Sequence, residues 1–223
     1  MNIISFDIGI RNLSYCILSP DREILSWKIL NISTDIVCNH CNNKGKLCDK
    51  SAKYTNNNIY LCSAHSKLKL YKDTKFKKYS DKSTLYKKSS NLIAVFDNEI
   101  FENYNLGYVV IENQPCLKNP IMKTIQMIVY SYFLIKYPDI KSVELCNASN
   151  KLKGYKGPKV MLIYTDNKKN RYKNNKYLAI HYCKNLITKE DNKFIELFSN
   201  SSKKDDLADS YLQGIYWINK YLK

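Results

Sequence analysis

Arginine is scarce in this 223-residue chain: Arg11, Arg22 and Arg171 are the only three among 36 basic side chains. A field of lysines lacks the planar guanidinium fork, so it attracts a polyanion as distributed point charges and is poorly equipped for bidentate base readout. Acid is the minority sign, with 20 residues, and the formal net charge is +16. A phosphate backbone is the natural partner for such a charge. An anionic membrane is the weaker one, since no basic amphipathic anchor stands out. Glycine numbers 6, and the pair in GYKG (Gly154 to Gly157) lacks the GxxxxGK(S/T) spacing, which excludes a phosphate-cradling loop of that kind. Histidine numbers 3 and offers no Ser/His/Asp set, because His40 and His65 lie in a cysteine-rich stretch and His181 in a Tyr- and Lys-rich segment. No apolar run reaches about 18 residues without charge and no leader pattern precedes the first strand, so an intracellular, non-secreted chain is expected. A disulfide framework is then disfavoured, and the 8 cysteines need another account.

What is present begins with Asn2 to Tyr15, NIISFDIGIRNLSY, where an acid ends an apolar run. Ile3, Ile4 and Phe6 read as a buried strand, Asp7 stands where that strand leaves the sheet, and Gly9 permits a tight turn or close approach. Leu13 to Leu18 and Glu23 to Ile32 continue a meander, with a turn at Ser19 to Arg22. From Asp35 to His65 the chain turns Asn-, Lys- and Cys-rich without apolar periodicity, which marks an insertion (36–66). Residues 67–83 read as a basic connector, too polar for a core element. A helix is expected from Thr84 to about Ile100, then a doubly covered strand at Tyr108 to Ile111 ended by Glu112. Asn119 and Pro120 open a helix that runs from Ile121 to Tyr137 with a broad apolar stripe for the sheet or a second subunit. Val143 to Cys146 is a strand, Asn147 to Lys159 a glycine-punctuated basic loop, and Val160 to Tyr164 a strand or helix. Lys168 to Lys184 suits a basic-faced helix, and Thr188 with Asp191 suits the capping box of another. The last helix starts near Ser201 or Lys203. This pattern specifies an α/β domain with a mixed sheet.

Four acids stand out by position. Asp7 and Glu112 end strands, while Asp206 and Asp209 lie three apart on one helix face in KKDDLADSYLQG. Like charges brought together repel unless a cation offsets them, and an oxygen-lined pit inside a positive field suits hard divalent ions. Two such ions would activate a water and stabilise the leaving 3′ oxygen in hydrolysis of a phosphodiester.

The blocks FDIGIRNLSY, VVIENQPCLKNPIMKTIQ and KKDDLADSYLQG together resemble the RuvC-like Holliday junction resolvases of large DNA viruses, relatives of bacterial RuvC on the ribonuclease H fold. The resemblance spans most of the chain outside residues 33 to 83. It implies a mixed five-stranded sheet flanked by helices and two Mg²⁺ ions (Mn²⁺ able to substitute) on Asp7, Glu112, Asp206 and Asp209, with Asp205 a neighbour out of register. It also implies a two-fold homodimer with its seam at Ile121 to Tyr137, and symmetric cleavage of four-way junctions. The family's assisting lysine falls among Lys151, Lys153, Lys156 and Lys159, with Lys159 in GPK preferred as catalytic. Expected DNA contacts are Arg11, Lys118, Lys123, Lys151, Lys153, Lys156, Arg171 and Lys173. If the chain is viral, the implied compartment is the host cytoplasm or nucleus. Other readings are a nuclease of the same fold for other branched DNA or RNA/DNA hybrids, and an inactive zinc-stapled DNA-binding module.

Cys38-x2-Cys41 and Cys62-x2-His65 match a tetrahedral structural zinc site of Cys3His type, with Cys48 and His40 as alternative ligands. Cys16, Cys116, Cys146 and Cys183 read as small buried thiols.

Overall fold

Along the first strand, β1 (Asn2–Asp7), odd and even residues serve different cores. The computed structural model describes all residues except 34–35, 44, 80–83, 118, 166, 168, 190–191 and 223. Ile3 joins one buried cluster, whereas Ile4 and Phe6 join the other. A strand covered on both sides must be apolar throughout, so every polar side chain in it needs a local reason. The next strands are β2 (Leu13–Leu18) and β3 (Ile24–Leu30), joined by the Ser19 to Arg22 turn, in which Arg22 N–H donates to Ser19 O at 3.0 Å.

The fold divides the chain into two compact units, Met1–Ile32 with Leu92–Lys223, and Ser33–Asn91. In the first, β1 pairs antiparallel with β2 and parallel with β7 (Leu106–Glu112), which pairs parallel with β8 (Ser142–Cys146). The resulting order β3-β2-β1-β7-β8 is the mixed five-stranded sheet expected of a ribonuclease H-like fold. One face is covered by α2 (Pro120–Lys136) and by Leu92 and Phe96 of α1 (Leu85–Asp97). Phe6, Phe96, Phe101 and Phe133 interlock there with ring centroids 5.4 to 6.4 Å apart. Truncating any of these rings to Ala would cost about 3 to 5 kcal/mol. The other face is covered by α3 (Arg171–Leu186), α4 (Asn192–Asn200) and α5 (Lys204–Tyr221). Asn119 caps α2 as expected, its Oδ1 accepting from Met122 N–H at 3.3 Å.

The second unit carries β4 (Tyr54–Asn56), β5 (Ile59–Leu61) and β6 (Lys77–Lys78) in the order β5-β4-β6. Asn57 and Asn58, both at positive φ, form the two-residue hairpin turn between β4 and β5.

Four local expectations need correction. Residues 67–83 are not a bare connector as far as Tyr79: β6 pairs with β4, and Tyr71 and Phe76 pack on the cysteine cluster. Val160 to Tyr164 forms neither strand nor helix, and Met161 and Ile163 are exposed, because no buried face receives them. Thr188 donates to Asn185 O at 3.2 Å, back toward α3, while its expected partner Asp191 lies outside the described residues. Cys116 is exposed in the turn after β7, whereas Cys16, Cys146 and Cys183 are buried as expected.

Candidate active site

Strand parity places the first two acids. On β1, Asp7 shares the α5-facing side with Ile3 and Ser5; on β7, Glu112 shares it with Val110. The parallel register sets Phe6 beside Ile111, so Asp7 and Glu112 emerge side by side at the same end of the sheet. Gly9 then turns the chain tightly, since a Cβ there would lie 2.4 Å from Asn12 O. Helix α5 delivers the third acid, Asp209, across this face. Its docking is fixed by buried polar contacts: Ser210 Oγ meets Ser14 Oγ at 2.8 Å, and Trp27 Nε1 donates to Leu207 O at 3.2 Å. One turn beyond Asp209, the buried Gln213 Nε2 reaches Ser5 Oγ and Phe6 O at 3.1 Å and Val110 O at 3.4 Å. A single amide thus ties the helix bearing Asp209 to the two strands bearing Asp7 and Glu112.

At the centre sits Lys151. Its Nζ lies 3.0 Å from Asp7 Oδ1, 3.2 Å from Glu112 Oε2 and 2.9 Å from Asp209 Oδ2, and the residue is only 4% exposed. A buried ammonium is tolerable only when paired in this way. The short 3-10 helix Ala148–Gly154 carries it, capped by Asn147 Oδ1, which accepts from Ser149 N–H at 3.2 Å. Gly154 lets that turn close on α5, where a Cβ would stand 3.0 Å from Tyr216 Cα. The turn after β7 is braced from α2: the buried Gln126 Oε1 accepts from Gln114 N–H at 2.7 Å, and Gln114 Nε2 donates to Glu112 Oε2 at 3.1 Å.

Three carboxylates facing one ammonium leave an excess of negative charge. Burial pushes the Asp7 carboxyl up to about 8, Lys151 pulling it down and Glu112 adding to the rise. Asp209 is raised by burial against the opposing pull of Lys151. Burial alone would depress the Lys151 ammonium, yet Asp7, Asp209 and Glu112 outweigh it and hold it above the ordinary lysine value. The three acids thus favour the charged form of Lys151, while burial disfavours the charged forms of Asp7 and Asp209. Asp206 does not share Lys151, but burial, then Asp205 and Asp7, push its carboxyl up to about 6. Asp205 turns away to pair with Lys176. An oxygen-only set short of positive charge is what a hard divalent cation requires. The ammonium now stands between the carboxylates that would hold it.

The structure corrects the choice of lysine. Lys159 is exposed, whereas Lys151 is at the acids, and its burial also removes it from the expected surface DNA contacts. The physical reason is reach: Cys146 pairs with Glu112 at the end of β8, so the lysine five residues on is near and the one thirteen residues on is not. Of the other expected contacts, Lys123 Nζ is held by Asn113 Oδ1 at 2.8 Å, Lys153 Nζ by Asn150 Oδ1 at 2.9 Å, and Lys173 lies over the Tyr164 ring. Lys156 lines an 820 Å³ cleft with Arg22, Arg171 opens α3 exposed, Arg11 is half-buried, and Lys118 lies outside the described residues.

In the second unit, Cys38, Cys48, Cys62 and His65 bring their ligand atoms within 4.8 Å of one another. This is a Cys3His cluster of the kind that holds structural zinc, and it corrects one ligand: Cys48 takes the place expected for Cys41. Residues 37–41 run as one arm of a hairpin, with bridges Val37 to Ser51 and Cys41 to Leu47 around a turn in which Gly45 N–H donates to Asn42 O at 2.9 Å. Alternation along that arm puts Cys38 and Cys41 on opposite faces, and Cys41 is exposed. His40 lies outside this cluster, its ring centroid 4.0 Å from that of His65 and tilted by 40°. The separation of 3.3 Å between Cys38 Sγ and His65 Nδ1 is close to a tetrahedral edge with bonds of about 2.3 and 2.0 Å. Burial, then His40 and Lys50, hold His65 below its usual value, which favours the neutral imidazole that ligation uses.

No helix among the described residues is long and apolar enough to cross a membrane. No protein-family profile matches the chain. An uncharacterized protein of Acanthamoeba polyphaga mimivirus is 34% identical over 93% of this chain, and the chain spans 60% of that relative's length. Among solved structures, the yeast mitochondrial Holliday junction resolvase Ydc2 superimposes with a TM-score of 0.52 at 16% identity, covering 97% of this chain and 78% of its own. The fowlpox virus Holliday junction resolvase does so with a TM-score of 0.53 at 15% identity, covering 99% of each chain. Sheet order, carboxylate placement and these likenesses together make this a chain of RuvC-like resolvase fold with a homologue in a giant virus.

Proposed function

We propose that the chain is a metal-dependent endonuclease that resolves four-way DNA junctions, acting as a homodimer. The observation that carries this reading is the convergence of Asp7, Glu112 and Asp209 on one buried ammonium, with Asp206 close enough to feel Asp7. Two solved structures of like fold are Holliday junction resolvases, which supports the substrate class. Asp7, Glu112, Asp206 and Asp209 would hold two Mg²⁺ ions, which supply an activated water and stabilise the leaving 3′ oxygen of the phosphodiester. The strands fix Asp7 and Glu112, and α5 brings Asp209 and Asp206 to them, so the site is assembled before substrate arrives. Lys151 places a permanent positive charge where a phosphate gains negative charge. Lysines on the surface hold the DNA backbone, and the exposed Met127, Leu134 and Ile135 on the outer side of α2 supply an apolar seam for the second subunit.

The test compares a synthetic four-way junction, a fork, a linear duplex and an RNA/DNA hybrid. Mg²⁺-dependent, symmetric cleavage of the junction is expected, and Asp7→Asn should abolish it, a loss of at least about a hundredfold, while leaving junction binding intact. Cleavage unchanged in Asp7→Asn would overturn the metal site; preference for the hybrid would overturn the junction.

A further inference from the structure

Charge is divided unequally between the two units. Ser33–Asn91 holds 13 lysines against 4 aspartates, with no arginine and no glutamate, and so carries a formal +9 on 59 residues. The rest of the chain carries +7 on 164 residues. A compositional bias toward lysine would spread evenly along the chain, and this one does not. The unit also has little apolar interior to offset its self-repulsion: Cys38, Leu61 and Cys62 are its buried cluster, with Cys48, Tyr71 and Phe76 packed against it. Lys67, Lys69, Lys72, Lys75, Lys77 and Lys78 follow one another on the segment that closes over this cluster, and all six are exposed. Leu70, between Lys69 and Lys72, is 76% exposed, so the segment turns its apolar side chain outward as well as its charges.

We infer that Ser33–Asn91 is a second nucleic-acid contact, a zinc-stapled surface that grips the phosphate backbone of DNA independently of the carboxylate site. This rests on the nuclease reading and names a further part of its substrate interface. A lysine-only surface fits a backbone and not a base sequence, because point charges neutralise phosphates without discriminating among base edges. Carried on the same chain as the active site, such a surface raises the local concentration of substrate without taking part in hydrolysis.

The experiment uses the full, zinc-loaded chain with Lys69, Lys72, Lys75, Lys77 and Lys78 changed together to Gln. Binding to a four-way junction and to a duplex is measured by fluorescence anisotropy across a range of KCl, in Ca²⁺ to hold back cleavage. Each phosphate that the variant no longer neutralises should reduce the slope of log affinity against log salt by about 0.9, so a fall of about 4 to 5 is expected on both DNAs. Affinity at low salt should weaken by at least tenfold, while the cleavage rate at saturating junction and the zinc content stay as in the wild type. If the variant loses zinc, a smaller set on the other arm of the unit, Lys46, Lys50 and Lys53 to Gln, replaces it, with a slope change of about 2 to 3. Unchanged slope and affinity, in a chain that still cleaves junctions, would overturn the inference and leave the nuclease reading standing. So would loss of binding to anionic vesicles with DNA binding untouched. A wild type that binds no DNA at all would overturn both.

Discussion

The carboxylate centre and the cysteine cluster are both built from side-chain types that ligate metals, but they are assembled in opposite ways. Asp7, Glu112 and Asp209 come from parts of the chain some hundred residues apart, and two buried cores hold the strands and helix that carry them. Cys38, Cys48, Cys62 and His65 come from one short stretch with almost no core beneath it. The first is preorganised by the fold and already contains a cation of its own, Lys151. The second has so small a core that its fold is expected to depend on an ion. Removing metal should therefore silence one region and dismantle the other.

The largest effect expected from that contrast is in the cysteine cluster. Structural zinc contributes on the order of 10 kcal/mol to the folding of small units. Cys48→Ser should lower bound zinc from one per chain and open residues 33–91 to limited proteolysis, whereas Cys41→Ser should do neither; the reverse result would restore Cys41 as ligand. The carboxylate centre comes next. Lys151→Met should slow junction cleavage by about a hundredfold, the scale of one preorganised electrostatic group. It should also lower the Mg²⁺ concentration needed for half-maximal rate, because the ammonium no longer competes for the carboxylates. Lys159→Met should change neither quantity. Gln213→Leu should destabilise the chain by about 1 to 3 kcal/mol, since it strips a buried donor from several acceptors at once. If the amide registers α5 against the strands, half-saturation by Mg²⁺ will rise in Gln213→Leu and recover in Gln213→Asn; a stability loss with metal affinity intact would make the residue merely structural.

The smallest effect is a pH dependence. Burial alone would raise Asp205, but Lys176 outweighs it and holds the carboxyl below its ordinary value. The pair's contribution is therefore present above an unfolded value of about 3.9 and lost as pH falls through the lower folded value. Lys176 is substantially exposed, so solvent screening limits the contribution to about 1 kcal/mol or less. Urea unfolding should show Asp205→Asn less stable than wild type by that amount at pH 7, with the gap closing as pH falls below the ordinary aspartate value.

Much of the fold was legible because period-two and period-3.6 patterns record which side of an element is buried. Ile3, Ile4 and Phe6 identify β1, the run at Tyr108 to Ile111 identifies a doubly covered strand, and Asn119-Pro120 marks where α2 begins. The acids were legible for the same reason, as charged residues at the ends of such patterns. Lys151 was one basic residue among several in a polar loop, and only the pairing of β8 with β7 shows which of them is in reach. Gln126 and Gln213 were hidden altogether: a buried amide on an apolar helix face has a partner that only tertiary structure supplies. The Cys38-x2-Cys41 spacing misled because it assumes a knuckle. The turn residues Asn42 to Gly45 were the contrary signal, since a hairpin there pairs His40 with Cys48 and turns Cys41 away.

Ile32 and Leu92, where the chain leaves the first unit and returns to it, belong to the same buried cluster. The loop they define is closed by the packing of Ile32 and Leu92 in that cluster. Melting the zinc unit then lengthens a tether that remains pinned at both ends, and the entropy of closing a loop grows only slowly with its length. Calorimetry with and without a zinc chelator is therefore expected to show a zinc-dependent transition that can vanish while the first unit still unfolds cooperatively.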